Sequence, residues 1–249
     1  MSIPRLFIDA PLAEESEVDS LPGQGRYLGS VLRRGVGDTV LLFNGRDGEF
    51  EAGIAALRKD SARFALRRRL RPQPPPAGPV LLLALLKRDA MEWTVEKATE
   101  LGVSAIRPVL TARCVADKVN RDRLGLIARE AAEQCERLDV PEIAEPLPLH
   151  ATLDLWARQD PAAPLFLGAE RGAAPPLPEA LRQSPPAADP GWLVGPEGGF
   201  APAELDAVRR RPFVVPVALG PRILRAETAA ISGLAVLQAC CGDWAEGRN

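Results

Sequence analysis

Two glycine-rich turns near the C-terminus constrain this 249-residue chain more than any other feature. The first, Gly195-Pro196-Glu197-Gly198-Gly199-Phe200, directly follows the apolar run Trp192-Leu193-Val194. The second, Leu219-Gly220-Pro221-Arg222-Ile223-Leu224-Arg225-Ala226-Glu227-Thr228, directly follows Phe213 to Ala218. Each reads as a buried strand, a tight turn and then a helix. Two such turns at neighbouring strand ends wrap bare main chain around a small ligand, at the place where open α/β sheets bind theirs. Neither a Gly-Lys-Ser/Thr phosphate loop nor G-x-G-x-x-G is present, so the expected pocket is not built for a polyphosphate or a dinucleotide. Glycine in a turn also has a purely structural use, because it takes positive φ without a Cβ clash. The second turn asks for more than that. Glu227 and Thr228 fit a helix cap, whereas the helix dipole disfavours Arg222 and Arg225 at a helix start. Arginines there point to an anionic or planar partner.

The residue inventory narrows the chemistry. His150 is the single histidine, and Cys114, Cys135, Cys240 and Cys241 form no C-x-x-C pair. His-based triads and most zinc sites are excluded on that count, and no metal is expected. The start Met1-Ser2-Ile3-Pro4-Arg5 has no signal-peptide apolar region and no apolar run reaches about 18 residues; the expectation is a soluble, cytoplasmic protein with reduced thiols. A net charge of −2 rules out a uniformly basic surface, so any RNA contact is local. Basic residues do cluster: Arg58, Lys59, Arg63, Arg67, Arg68, Arg69 and Arg71, opposed within the run by Asp60. That run fits either a solvated strand with its turn or a face for nucleic-acid phosphate.

Composition changes at Arg71-Pro72-Gln73-Pro74-Pro75-Pro76-Ala77-Gly78-Pro79, a stiff extended linker. Before it, residues 1–71 read as short strands and turns: Arg5 to Ile8, a short helix from Tyr27 to Arg33, Thr39 to Phe43, the turn Asn44 to Gly48, Glu49 to Leu57, and Ala62 to Leu70. This pattern suggests a small β-barrel. After the linker at 72–79, residues 80–249 alternate strand and helix. Strands are read at Val80 to Leu85, Ala105 to Leu110 and Leu165 to Gly168, with two more before the glycine-rich turns. Helices are read from an Asp89 cap to Leu101 with Trp93, Ala98 and Leu101 inward, from Arg121 to Arg137, and from Leu224 to Cys240 with Ile231, Leu234 and Ala235 on one face. Alternation of this kind implies a parallel sheet.

A set of ordered segments carries a family resemblance. They are Pro4-Arg5-Leu6-Phe7, Val31-Leu32-Arg33, Leu85 to Trp93, Glu96 to Val103, Glu133-Gln134-Cys135 with Arg137, Pro141-Glu142-Ile143, and the two C-terminal turns. Together they resemble the ribosomal small subunit methyltransferase E family, of the SPOUT class, over nearly the whole chain. The resemblance implies an N-terminal PUA-like β-barrel that binds RNA, a SPOUT-type α/β domain with a C-terminal trefoil knot, and a homodimer. Chains are otherwise unknotted, so the knot enters by resemblance alone. It further implies S-adenosylmethionine-dependent methylation of N3 of one uridine in small-subunit (16S) ribosomal RNA. Four positions depart from the family pattern: Tyr27 stands in place of His, Arg88 in place of Gly, Ala112 in place of an acidic residue, and Ala201 in place of a Ser-type cap.

Carried onto this sequence, the resemblance implies cofactor contacts from Leu167, Gly168, Gly195, Pro196, Glu197, Gly198, Leu219, Gly220, Ile223, Leu224, Arg225 and Thr228. Ile223 and Leu224 fit ordinary core packing as well. Uracil N3 is a poor nucleophile while protonated, and a nearby guanidinium lowers the cost of its anion. The candidates are Arg225 and Arg113, with Arg137 as an alternative that fits phosphate binding equally. Glu197 is placed either to accept the proton or to hold the base, against a turn-stabilising role at a helix start. Arg5, Arg33, Arg67, Arg68, Arg69 and Arg137 are the expected RNA contacts. Two other readings remain at this point: a non-catalytic RNA-binding assembly factor, and a ribose 2′-O methyltransferase on the same fold.

Overall fold

The computed structural model describes residues 3–159, 162–169, 174–184 and 189–245. It divides into two units, Met1–Pro76 with Ala132–Val140, and Ala77–Ala131 with Pro141–Asn249. In the first, β1 (Arg5–Phe7), β2 (Glu17–Asp19), α1 (Gln24–Arg26) continuing into a π-helical turn at Tyr27–Val31, β3 (Thr39–Phe43), β4 (Glu49–Leu57) and β5 (Ala62–Arg71) follow in order. The strands form one sheet, ordered β1-β3-β4-β5-β2. The expected hairpin pairs Phe43 with Glu49. Its turn is held by Asn44, whose side-chain oxygen accepts the amides of Arg46 at 3.0 Å and Asp47 at 2.9 Å, the local bond that suits Asn to turns. Register shifts between Glu49 and Phe50, Glu51 and Ala52, and Ile54 and Ala56 bend β4 against β5. The concave face buries Leu6, Ile8, Leu28, Val40, Leu42, Phe50, Ile54, Phe64 and Leu66, each worth about 1.5–3 kcal/mol of transfer free energy.

The segment 132–140 joins this unit although it lies far along the chain. Arg5 holds it there. Its Nη1 donates to the Ala132 carbonyl at 2.7 Å, its Nε pairs with Glu49 at 2.6 Å, and its guanidinium lies 3.9 Å from the centre of the Phe43 ring. Arg5 was expected at the RNA. It is buried instead, and its donors are committed inside the unit.

The second unit contains β6 (Val80–Ala84), α2 (Arg88–Glu100), β7 (Ala105–Leu110), α3 (Arg121–Gln134, its last residues counted with the first unit), β8 (Glu142–Ile143), β9 (Leu147–Pro148), α4 (Leu149–Gln159), β10 (Leu165–Gly168), α5 (Leu177–Gln183), β11 (Gly191–Val194), α6 (Pro202–Arg209), β12 (Val214–Val217) and α7 (Ala226–Cys241). The sheet is parallel, ordered β12-β10-β11-β6-β7-β8, with β9 also pairing β7. Its central strands are near-continuous apolar runs because both faces are covered; every residue of β6 is buried. The chain moves outward from β6 through β7 to β8, then places β10, β11 and β12 on the other side. That reversal brings the carboxyl ends of β6, β10, β11 and β12 together, a switch point of the sort where open α/β sheets bind ligands.

Several local expectations are corrected. Asp89 does not cap α2; Lys87 holds the N-cap position and Asp89 sits in the first turn. Trp93 points outward, 44% exposed. The helix from Arg121 stops at Gln134, before Arg137. The last helix starts at Ala226, and its buried face is Ala226, Ala230, Gly233, Leu234, Leu237 and Gln238, with Ile231 and Ala235 half-buried beside it.

Candidate functional site

A cavity of about 900 Å³ opens at the switch point. One wall is the turn after β12, from Leu219 to Arg225, continuing into Ala226, Glu227 and Ala229 of α7. A second is the turn after β11, Val194 to Glu197; a third is Gly168 with Ala169; and the rim is Lys87 to Ala90 at the start of α2. Both glycine-rich turns therefore meet in one cavity. Gly220 has φ +118°, a conformation open to glycine and strained for residues with a Cβ.

The wall from Leu219 to Leu224 has unspent hydrogen-bonding capacity. Among the described residues, its main-chain N–H and C=O groups find no protein partner. Buried or half-buried main chain is normally paired, so a bare stretch lining a cavity is free to pair with a ligand. Ile223 is 64% exposed and adds an apolar face. Arg225 occupies the N-cap of α7 with an extended backbone and makes no side-chain cap bond; with Arg222 it brings guanidinium groups to the same wall.

Of the expected cofactor contacts, Gly168, Gly195, Pro196, Glu197, Leu219, Gly220, Ile223, Leu224 and Arg225 line the cavity. Leu167 does not; it is fully buried in the core with Leu82, Leu165 and Leu193. Gly198 and Thr228 lie outside the lining, because the first turn bends away after Glu197 and Thr228 is on the exposed side of α7. Arg113, expected at the reacting base, is also outside the lining, and its Nη1 donates to the Gly198 carbonyl at 3.1 Å. Glu197 is at the cavity, but its Oε1 accepts the Lys87 amide at 3.1 Å. The rim from Lys87 to Ala90 was missed as a site. Its signal was the Leu85 to Trp93 segment, where the residue types gave no local hint of a ligand.

The basic run is less free than its sequence suggests. Arg67 and Arg68 share Glu51 at 3.3 and 3.0 Å, Arg63 pairs with Asp19 at 2.8 Å, and Arg71 with Glu49 at 2.8 Å. Hydrogen bonds from Arg68 and Arg67 hold the Glu51 carboxyl below the usual carboxylate range. The guanidinium groups of Arg33 and Arg69 are exposed, and no protein partner is found for either among the described residues. Arg137 pairs with Asp139 at 2.8 Å, its side chain 12% exposed. Among the described residues no cluster of His, Cys, Asp or Glu is placed to hold a metal, and no helix is long and apolar enough to cross a membrane.

Two family models match the chain, one described as an RNA methyltransferase domain over residues 74–238 and one as an RNA methyltransferase PUA domain over residues 23–66. The ribosomal RNA small subunit methyltransferase E of Rickettsia conorii is 33% identical, covering 94% of this chain and 95% of the relative. Among solved structures, a methyltransferase from Legionella pneumophila in complex with the bound cofactor SAM is 30% identical, with a TM-score of 0.81 over 96% of this chain and 98% of that one. A ribosomal RNA small subunit methyltransferase E from Neisseria gonorrhoeae bound to S-adenosyl methionine is 27% identical, with a TM-score of 0.82 over the same shares.

Proposed function

Because the chain belongs to the ribosomal small subunit methyltransferase E family of RNA methyltransferases, we propose that it uses S-adenosylmethionine to methylate N3 of a uridine in small-subunit ribosomal RNA. The observation that carries this reading is the unpartnered main chain from Leu219 to Leu224 beside a cavity of about 900 Å³, within the range of small-molecule sites. An adenine edge carries a donor and acceptors that match such a wall, and Ile223 and Leu224 offer apolar faces to a ring. Gly168, Gly195 to Glu197 and Leu219 to Arg225 would hold the cofactor. When bound, it supplies a methyl group made electrophilic by a sulfonium.

The chain's own contribution is alignment and charge. Holding donor and acceptor in line is worth several kcal/mol, up to about 10. Arg225, on the cavity wall, lowers the cost of the anion that uracil becomes when N3 loses its proton. Glu197 keeps one carboxylate oxygen clear of its bond to Lys87, and we assign that oxygen to the N3 proton. The target base leaves its stack to reach the cavity, at a cost of a few kcal/mol. In the first unit, Arg33 and Arg69 meet phosphate directly, with Arg67 and Arg68 as contacts that Glu51 moderates.

We extend the reading to a cytoplasmic homodimer, supported by the outward Trp93 on α2, and to the trefoil knot of the SPOUT class, supported by the return of β12 to the far side of β10. Incubating the purified protein with labelled S-adenosylmethionine and either undermethylated small subunits or free 16S RNA, then identifying the modified nucleoside by mass, tests the activity. 3-Methyluridine is expected. A 2′-O-methylated nucleoside moves the reaction to ribose. No incorporation, together with no calorimetric binding of the cofactor at high micromolar concentration, leaves a non-catalytic RNA-binding factor.

A further inference from the structure

We propose that Glu204 is a positioning residue for methyl transfer, an inference that rests on the reading above. Ala201 holds the N-cap of α6 with an extended backbone, φ −65° and ψ 150°, and its methyl side chain makes no cap bond. Glu204 supplies half a capping box from the other direction: its Oε2 accepts the Ala201 amide at 3.0 Å. Its Oε1 accepts the Ala112 amide at 2.7 Å. One half-buried carboxylate therefore fastens the loop after β7 to the start of α6.

That loop carries Arg113, which donates to the Gly198 carbonyl at 3.1 Å, while Glu197 takes the Lys87 amide at 3.1 Å from the other side. The turn after β11 is thus braced by the loop after β7 and by the start of α2. Glu204 and Arg113 act in series on one brace. Loosening it displaces Glu197 and the cavity turn, whereas the wall from Leu219 to Arg225 is held by other elements. Loss of Glu204 therefore lowers turnover and spares cofactor affinity.

The test separates this role from helix capping. Glu204→Ala is expected to lower kcat by about tenfold or more, since misplacement of about 1 Å costs up to about 100-fold, with the calorimetric Kd for S-adenosylmethionine changed by less than about threefold. Adding Ala201→Ser restores a cap acceptor; Tm should recover and kcat should not. Arg113→Ala combined with Glu204→Ala should be no slower than the slower single variant, because residues acting through one contact are not additive. Amide exchange at Ala112 should rise in Glu204→Ala, which reads the brace without any activity. Recovery of kcat with Ala201→Ser, multiplicative losses in the double variant, or unchanged exchange at Ala112 would each overturn the assignment. A wild-type protein that methylates nothing sinks the functional reading instead, and the exchange measurement still decides the brace.

Discussion

Glu49 lies between Arg5, 2.6 Å from its Oε1, and Arg71, 2.8 Å from its Oε2. Burial alone would raise its carboxyl, but hydrogen bonds from Arg71 and Arg5 outweigh it and hold the group below its ordinary value of 4.5. A carboxyl depressed in the folded state contributes stability that is complete above 4.5 and is lost as pH falls through the folded value. Glu49→Gln leaves buried Arg5 without its counter-charge and should cost about 3–5 kcal/mol at neutral pH. Urea denaturation at pH 7 and again below the carboxyl's folded value should show the gap between wild type and variant closing in acid; a gap independent of pH would mean the charge is not what Glu49 supplies. On the cavity wall, Arg225→Ala should lower kcat by about 100-fold, the scale of losing one preorganised stabilising donor, with S-adenosylmethionine affinity nearly kept. Equal losses in turnover and affinity would assign Arg225 to cofactor binding.

At the scale of elements, α7 shows how packing decides both stability and site shape. In a free helix, Gly→Ala gains up to about 1 kcal/mol. At Gly233 an added Cβ would lie 2.2 Å from Cε2 of Trp192, whose ring is fully buried on β11. Overpacking of about 1–3 kcal/mol wins, so Gly233→Ala should lower Tm and weaken cofactor binding, since α7 also carries Ala226 and Ala229 of the cavity. A higher Tm would show that Trp192 gives way. The same comparison explains what the sequence disclosed. Val80 to Ala84, Leu165 to Gly168 and Trp192 to Val194 were legible because strands covered on both faces are unbroken apolar runs. The three-residue β2 and two-residue β8 and β9 were not, because their partners define them rather than any local pattern. Trp93 was placed inward on helical periodicity; the solvent side of α2 was open to it. The two turns of the cavity were readable from glycine and arginine, whereas the rim at Lys87 to Ala90 follows from β6 lying beside β11, a strand order that no local motif encodes. Arg5 was misassigned for the same reason: its partners Ala132 and Glu49 are distant in sequence.

For the whole molecule, a net charge of −2 gives no general attraction to RNA, so affinity has to come from a local balance of cations and acids. Glu51 sets that balance on the face formed by β4 and β5. Its carboxylate stays charged at neutral pH and ties up Arg67 and Arg68. Glu51→Gln removes one negative charge and frees both guanidinium groups for phosphate. Each added phosphate contact steepens the dependence of log K on log salt by about 0.7 for single-stranded RNA. The variant should therefore bind 16S RNA several-fold more tightly at low salt, with a slope steeper by up to about 1.4, and lose the advantage near 0.5 M salt, where the Debye length is shorter than about 8 Å. Arg69→Ala should shift the slope the opposite way by about 0.7. Filter binding across a salt series measures both. If neither substitution moves the slope, RNA does not lie on this face, and the arginines of β5 serve only the ion pairs that hold the sheet's outer surface.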